Sequence, residues 1–191
     1  MLTLEHVKNV VHNIKSHKNL DRHALKRSAV VLLLREGHQG VELLMMKRAE
    51  RDGDPWSGHM GFPGGRQEPA DANIFATAVR EVREEMGFDI EAVADSPYRL
   101  SDIRATGRGR VQAMVVTPFV MFAHSDVNIV PNHEVAESVW IPLQHFVYPG
   151  NRQSFELHVA GDAFSMPCYY YRYYKVWGMS LRMLDELLAV L

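Results

Sequence analysis

A chain of 191 residues with 47% apolar and 23% charged types is long enough to bury a full core, and its composition excludes an intrinsically disordered chain. Its 21 Lys and Arg against 23 Asp and Glu leave a net charge of −2. That balance argues against a dedicated nucleic-acid binder, while leaving room for a local pocket that takes a nucleotide-sized anion. The single Cys168 cannot form an intrachain disulfide. The uncharged stretch 111–123 is thirteen residues, too short to span a bilayer and interrupted by Thr117 and Pro118. The opening residues mix charge with apolar types and lack a signal-peptide core. The expectation is a cytoplasmic protein with no membrane partner.

In chain order, residues 4–14 carry Leu4, Val7, Val11 and Ile14 at helical spacing, which predicts a short amphipathic helix on the flank of the domain. Residues 28–34 (SAVVLLL) read as a buried strand and 41–46 as its partner, with REGHQG between them as a hairpin loop. A stretch rich in Gly, Pro and Asp follows over 49–65, and loops of that length in compact domains are usually functional. The clearest helix is 73–86. Asp71 and Asn73 are both placed to cap its start, and Gly87 to end it in a left-handed turn. Further strands are expected at 98–103, 111–116, 119–122 and 139–141. A last helix over 179–191 repeats Met179, Met183, Leu187 and Leu191 every four residues, a core stripe. No repeat or composition break divides the chain. One α/β (α+β) domain is therefore expected over 1–191, a sandwich with mixed strands, with 1–27 as a helical extension and 28–191 as the core.

The chemistry concentrates in Arg80-Glu81-Val82-Arg83-Glu84-Glu85-Met86-Gly87. On a helix Glu81 lies three residues before Glu84 and four before Glu85, so the three carboxylates share a face. Like charges at that spacing repel, and a hard divalent cation would turn the repulsion into binding. Arg80 is placed to brace Glu84 from one turn away. Phe75, Val79, Val82 and Met86 form the apolar face that anchors the helix. A solvated acidic face is the bland alternative. Upstream, Phe62-Pro63-Gly64-Gly65 tips the balance, because two glycines allow close backbone approach and a free carbonyl would extend an oxygen-rich shell.

Gly65, Asp71 and Arg80-Glu81-Val82-x-Glu84-Glu85-x-Gly87-Phe88 resemble the Nudix box, G-x5-E-x7-R-E-U-x-E-E-x-G-U. The second half matches at every specified position. In the first half Asp71 stands at the acidic position, with eight residues rather than seven before Arg80, which takes Asp71 out of the expected metal set. The segments Leu44-Met45-Met46-Lys47-Arg48-Ala49 and Gly58-x3-Phe62-Pro63-Gly64-Gly65 resemble the upstream signature of the coenzyme A pyrophosphatase branch. Met46 and Ala49 replace its Thr and Ser, one residue is inserted, and Arg51 is nearest to its second Arg. The run 77–81 and the tail from Tyr171 to Ser180 are similar to that branch as well.

This resemblance implies a Nudix-type α/β/α sandwich with a mixed sheet and a catalytic helix. It also implies hydrolysis of a pyrophosphate bond in a nucleoside diphosphate derivative, with Mg²⁺ or Mn²⁺ as cofactor and that small molecule as partner. Coenzyme A, cut to 3′,5′-ADP and 4′-phosphopantetheine, is the leading substrate. ADP-ribose, dinucleoside polyphosphates, (d)NTPs, or a non-catalytic nucleotide-binding module are the alternatives. By family analogy Glu81 and Glu85 are the principal metal ligands, Glu84 a further one and the Gly64 carbonyl a fourth, while Arg80 orients the glutamates. Glu134 is one candidate general base, with Glu81, His133 and His59 as competitors. Arg48, Arg51, Arg66, Arg108 and Arg110 are candidate phosphate contacts, Arg108 and Arg110 within a Gly-Arg-Gly-Arg loop. The aromatic run 169–174 reads as alternating strand positions, and Cys168 as a small buried hydrophobe.

Overall fold

The apolar run in 28–34 forms the middle of strand β1 (Lys26–Gly37). Successive side chains of a strand point to opposite faces, and here both faces are covered. Val31 and Leu33 enter one buried cluster, and Leu32 and Leu34 enter the other. The computed structural model describes residues 2–52, 56–105 and 113–191.

Around β1 lie β2 (Gly40–Arg48), β3 (Met60–Gly61), β4 (Gly64–Arg66), β5 (Tyr98–Arg99), β6 (Ile103–Ala105), β7 (Met114–Phe122) and β8 (Val135–Pro142). The path β3-β2-β1-β7-β5 runs through the sheet, with β4 on β1, β6 on β7 and β8 on β2. Among the described strands of this sheet, only β1 and β7 pair in parallel. Helices α2 (Ile74–Met86) and α3 (Ile90–Val93) cover one face through Ala78, Val82, Met86 and Ile90. On the other face α1 (Leu4–Val11), α4 (Leu143–Val147) and α5 (Gly178–Leu188) bury Val7, Val11, Phe146, Leu181, Leu184 and Leu187. The result is the expected α/β/α sandwich. A second sheet, β11-β10-β9, is built from β9 (Arg152–Val159), β10 (Asp162–Tyr171) and β11 (Tyr174–Trp177).

One edge of β1 is shared between two partners, and this places the glycines. Leu34 to Gly37 pair with β2, whereas Ser28 to Val30 pair with β4. Between them the Val31 N–H donates to the Pro63 carbonyl at 2.8 Å. Beyond Leu43 β2 diverges from β1 and its freed edge takes β3, while the segment containing Pro63, Gly64 and Gly65 fills the opening along β1. Residues 49–65 are therefore not one loop: β3 and the start of β4 lie inside that range.

Several boundaries differ from the sequence reading. The β1–β2 strands run on until Gly37 faces Gly40, leaving only His38 and Gln39 as the loop. Residues 114–122 form one strand through Pro118, rather than two. Its proline carbonyl accepts from Leu100 N–H at 2.9 Å, on the side where the neighbouring strand is broken into β5 and β6. A residue without an N–H is tolerated beside such a break. The expected strand 98–103 is split for the same reason. α1 and α5 stop at Val11 and Leu188, short of the periodicity that suggested them. The aromatic run is a hairpin, with buried Tyr169, exposed Tyr170 and a turn at Arg172 and Tyr173 between β10 and β11. Cys168 is buried, and burial pushes its thiol up.

Candidate active site

Helix α2 is set at both ends by local chemistry. The Asn73 side chain accepts from the Phe75 and Ala76 N–H groups at 2.9 Å, and Gly87 closes the helix with φ 76°. The rival cap, Asp71, has another function. Its carboxylate takes a bidentate pair from Arg80, Nε at 3.0 Å and Nη2 at 3.1 Å, and accepts the Glu68 N–H at 2.9 Å. These Arg80 hydrogen bonds hold the Asp71 carboxyl down at about 2, and Asp71 in turn raises Arg80 further above its ordinary value.

Arg80 also reaches the glutamates it precedes. Its Nη1 donates to Glu81 at 3.0 Å and to Glu84 at 3.2 Å, while Nη2 donates to the Arg66 carbonyl at 2.8 Å. It is a brace, as its place in the sequence suggests.

The three glutamates share a side of the helix but not an environment. Glu84 is half exposed, Glu81 mostly covered, and Glu85 only 3% exposed. Glu85 accepts the Gly64 N–H at 2.8 Å. Burial, with the nearby charges of Glu81 and Glu134, pushes its carboxyl up to about 8, against the opposing pull of Gly64 and Arg48. Glu81 is raised as well, first by burial, with Glu84 and Glu134 adding and Arg80 opposing. Both glycines sit too close to their neighbours to carry a side chain. A Cβ on Gly64 would lie 2.1 Å from the Ala29 carbonyl oxygen, and one on Gly65 would lie 2.4 Å from the Glu81 carboxyl carbon.

A downstream loop completes the group. Val130 and Asn132 N–H cap the Met86 and Glu85 carbonyls at 2.9 and 3.0 Å, and Asn132 Oδ1 accepts the Glu134 N–H. Glu134 is thereby brought into the field of Glu81 and Glu85, and its carboxylate pairs with Arg51 at 3.3 Å. Arg48 also acts on Glu85 through its charge. Arg66 contributes its carbonyl to Arg80 and its side chain to a cleft described below. His59 packs edge-on against Trp177, and His133 is exposed. Arg108 and Arg110 lie outside the described residues. The clamp of Asp71 on Arg80 was missed from sequence, since a spacing of nine across a helix cap carries no periodic signal.

Among the described residues, no three acidic, His or Cys side chains converge closely enough to hold one ion between them. Glu81 and Glu84 are turned to Arg80 instead. Mg²⁺ nevertheless needs only one or two carboxylates, because it keeps waters and takes substrate phosphate oxygens for the rest. An all-oxygen set whose most buried member is strained by its charge fits such an ion.

A NUDIX domain model matches residues 24–158. The chain belongs to the Nudix family. It is 30% identical over 179 residues to Nudix hydrolase 15, mitochondrial, of Arabidopsis thaliana, covering 91% of this chain and 61% of that protein. It is 30% identical over 151 residues to a peroxisomal coenzyme A diphosphatase of Mus musculus, covering 77% of this chain and 59% of that one. The chain thus spans about six tenths of the length of these two relatives. The crystal structure of a MutT/nudix family protein from Enterococcus faecalis has a TM-score of 0.55 at 12% identity, covering 99% of this chain and 68% of that one, which supports the Nudix fold. Among the described residues no helix is long and apolar enough to cross a membrane. These relatives include a mitochondrial and a peroxisomal protein, so family membership does not fix the cytoplasmic compartment expected above.

Proposed function

We propose that this Nudix chain is a divalent-metal-dependent pyrophosphohydrolase whose substrate is coenzyme A, cut to 3′,5′-ADP and 4′-phosphopantetheine. The observation that carries the hydrolase reading is Glu85, a carboxyl group buried in the field of Glu81 and Glu134, which the charge of Arg48 only partly offsets. The substrate reading is supported by similarity to the mouse coenzyme A diphosphatase and by the segments 44–49 and 58–65.

In this reading Glu81 and Glu85 would hold Mg²⁺ or Mn²⁺, with Glu84 and the Gly64 carbonyl as further ligands. A bound divalent ion polarises phosphoryl oxygens and lowers the pKa of water toward about 7. Arg80 keeps Glu81 in place and does not touch substrate, since its donors are already engaged. Glu134 accepts a proton from the attacking water. Arg51, paired with it, orients its carboxylate. Water adds to one phosphorus of the diphosphate, and the bridging oxygen leaves with the other phosphoryl group. Arg48, Arg51 and Arg66, with Arg108 and Arg110, neutralise substrate phosphates, which Arg does in bidentate fashion.

The test is a panel of coenzyme A, dephospho-coenzyme A, ADP-ribose, dinucleoside polyphosphates and nucleoside triphosphates with Mg²⁺ or Mn²⁺, read by product mass. Coenzyme A should lead ADP-ribose by about ten- to a hundred-fold in kcat/KM, the worth of a charge-assisted contact or two. Equal rates on coenzyme A and ADP-ribose, or turnover of triphosphates alone, would remove the substrate assignment. No turnover of any member would remove the hydrolase.

A further inference from the structure

A 3-10 turn, Leu20–His23, faces the loop from β4 to α2 across a cleft of about 560 Å³ that the carboxylate site does not use. Its lining is cationic: Arg22, Lys26, Arg27 and Arg66, with His23, stand against Glu68 and Asp71. Asp71 is already neutralised by Arg80. Among the described residues no carboxylate pairs with any of those four cations, and Arg22 spends only one donor, on the Asn19 carbonyl at 3.3 Å. The Arg27 Nε is shut off from solvent without a partner. Like charges gathered in a concave surface raise the local potential and attract an anion.

The cleft adjoins the glutamates. Arg66 follows Gly65, whose backbone lies against Glu81, and the Arg66 carbonyl is held by Arg80. Gln67 N–H donates to the Arg27 carbonyl at 2.9 Å, which joins the two walls. The wall bearing Arg22 is fastened to the sheet as well. Asn19 N–H donates to Asp102 Oδ2 at 2.8 Å, Asp102 N–H to the His17 carbonyl at 2.9 Å, and Arg104 pairs with Asp21 at 2.8 Å. Arg22 precedes residue 24, where the family model begins to match. It is therefore a contribution of this chain's own N-terminal segment.

We infer that this cleft binds a phosphate monoester of the substrate that is not cleaved, which in coenzyme A is the 3′-phosphate. The inference rests on the coenzyme A reading for the identity of the ligand and on the cleft for its chemistry. A monoester dianion suits two or more arginines better than a diphosphate linkage does, because its three terminal oxygens accept forked donors. ADP-ribose and dephospho-coenzyme A have no such group.

The test uses the double variant Arg22→Ala/Lys26→Ala, checked for an unchanged thermal midpoint, and reads binding and turnover separately. In titration calorimetry with Mg²⁺, the wild type should bind 3′,5′-ADP about tenfold or more tighter than 5′-AMP, and the variant should lose that difference while keeping its affinity for 5′-AMP. Equal wild-type affinities, or an unchanged ratio in the variant, would overturn the inference. So would inorganic phosphate binding as tightly as 3′,5′-ADP, which would make the cleft a free-phosphate site. In turnover, the variant should lose about tenfold in kcat/KM on coenzyme A and nothing on dephospho-coenzyme A; equal losses on both would also overturn it. If the wild type cleaves neither compound, the substrate proposal fails, and the calorimetry still decides the cleft. Should the variant unfold, Arg22→Gln alone, read by the same ratio, decides it.

Discussion

Replacing Gly65 by alanine places a methyl carbon 2.4 Å from the Glu81 carboxyl carbon and from Oε1, and 2.6 Å from Oε2. Carbon atoms in contact sit about 3.5–4.0 Å apart, so Glu81 has to withdraw by about 1 Å or more. The obstacle is the end of a side chain, and no backbone need move. The fold should survive while the carboxylate leaves its working position. A displacement of that size at a reacting centre costs about a hundredfold. Gly64→Ala is the matched control. There the new methyl meets the Ala29 carbonyl oxygen at 2.1 Å and Val30 Cα at 2.5 Å, at a φ of 146°. The β1–β4 ladder itself must shift, an overpacking penalty of about 2 kcal/mol, or about 4–8 °C in thermal midpoint for a chain of this size. The assay is kcat and KM on coenzyme A at saturating Mg²⁺, with thermal midpoints for both variants. Gly65→Ala should lose about a hundredfold in kcat with a midpoint within about 2 °C of wild type. A wild-type kcat in Gly65→Ala, or a midpoint as low as that of Gly64→Ala, would refute the placement of Glu81 beneath the glycine.

Glu85→Gln should lower kcat at least ~100-fold, the scale of losing a metal-site partner. Its metal-free midpoint at pH 8.5 should rise above wild type, because a buried charge is removed while the amide oxygen can still accept from Gly64. Near-native turnover would remove the metal assignment. In metal-free wild type the Glu85 contribution to stability should be full below the ordinary carboxylate range and be lost as pH rises through about 8, since its carboxyl is raised in the folded state. Mg²⁺ should therefore raise the midpoint more at pH 8.5 than at pH 6.5, with proton release between them; an equal gain at both would contradict this. Asp71 works in the opposite sense. Its carboxyl is held at about 2, so its contribution is full above about pH 4 and lost as pH falls toward 2. Asp71→Asn should cost about 1 kcal/mol at pH 7 and flatten that acid limb, and a melting curve unchanged from pH 2 to 7 would show that the clamp is idle.

What could be read from the sequence was local. Helix α2 was legible because its apolar spacing, its Asn73 cap and its Gly87 terminus all lie within fifteen residues of one another. The cluster Glu81, Glu84 and Glu85 was legible for the same reason. What escaped was set by segments far away. Pro118 reads as a breaker, yet β7 passes through it because its missing N–H faces the break between β5 and β6. Spacing put Glu81, Glu84 and Glu85 on one side of the helix, but only the approach of β4 and of the loop at Val130 to Glu134 makes Glu85 buried and leaves Glu84 half exposed. The cationic cleft was invisible in the same way. Arg22 and Arg66 are far apart in the chain and meet only because β4 returns antiparallel along the start of β1.

In the proposed reading, the unequal treatment of the carboxylates explains how the site stays folded without an ion and still attracts one. Arg80 makes five hydrogen bonds, to Asp71 twice, to Glu81, to Glu84 and to the Arg66 carbonyl. Those bonds absorb the repulsion that three neighbouring glutamates would otherwise exert on the helix. Asp71 is central to this, because its carboxylate takes two of those five bonds and fixes Arg80. Glu85 is left outside the Arg80 arrangement, with one neutral donor at Gly64 and, in its field, two acidic neighbours against the charge of Arg48. In the proposed reading a cation arriving at Glu85 displaces its proton, and the charge it uncovers there is the one Arg80 does not already hold. The peptide segment that supplies the Gly64 N–H is the same one that brings Gly65 against Glu81, so the two carboxylates proposed to hold the ion are positioned by a single turn of backbone.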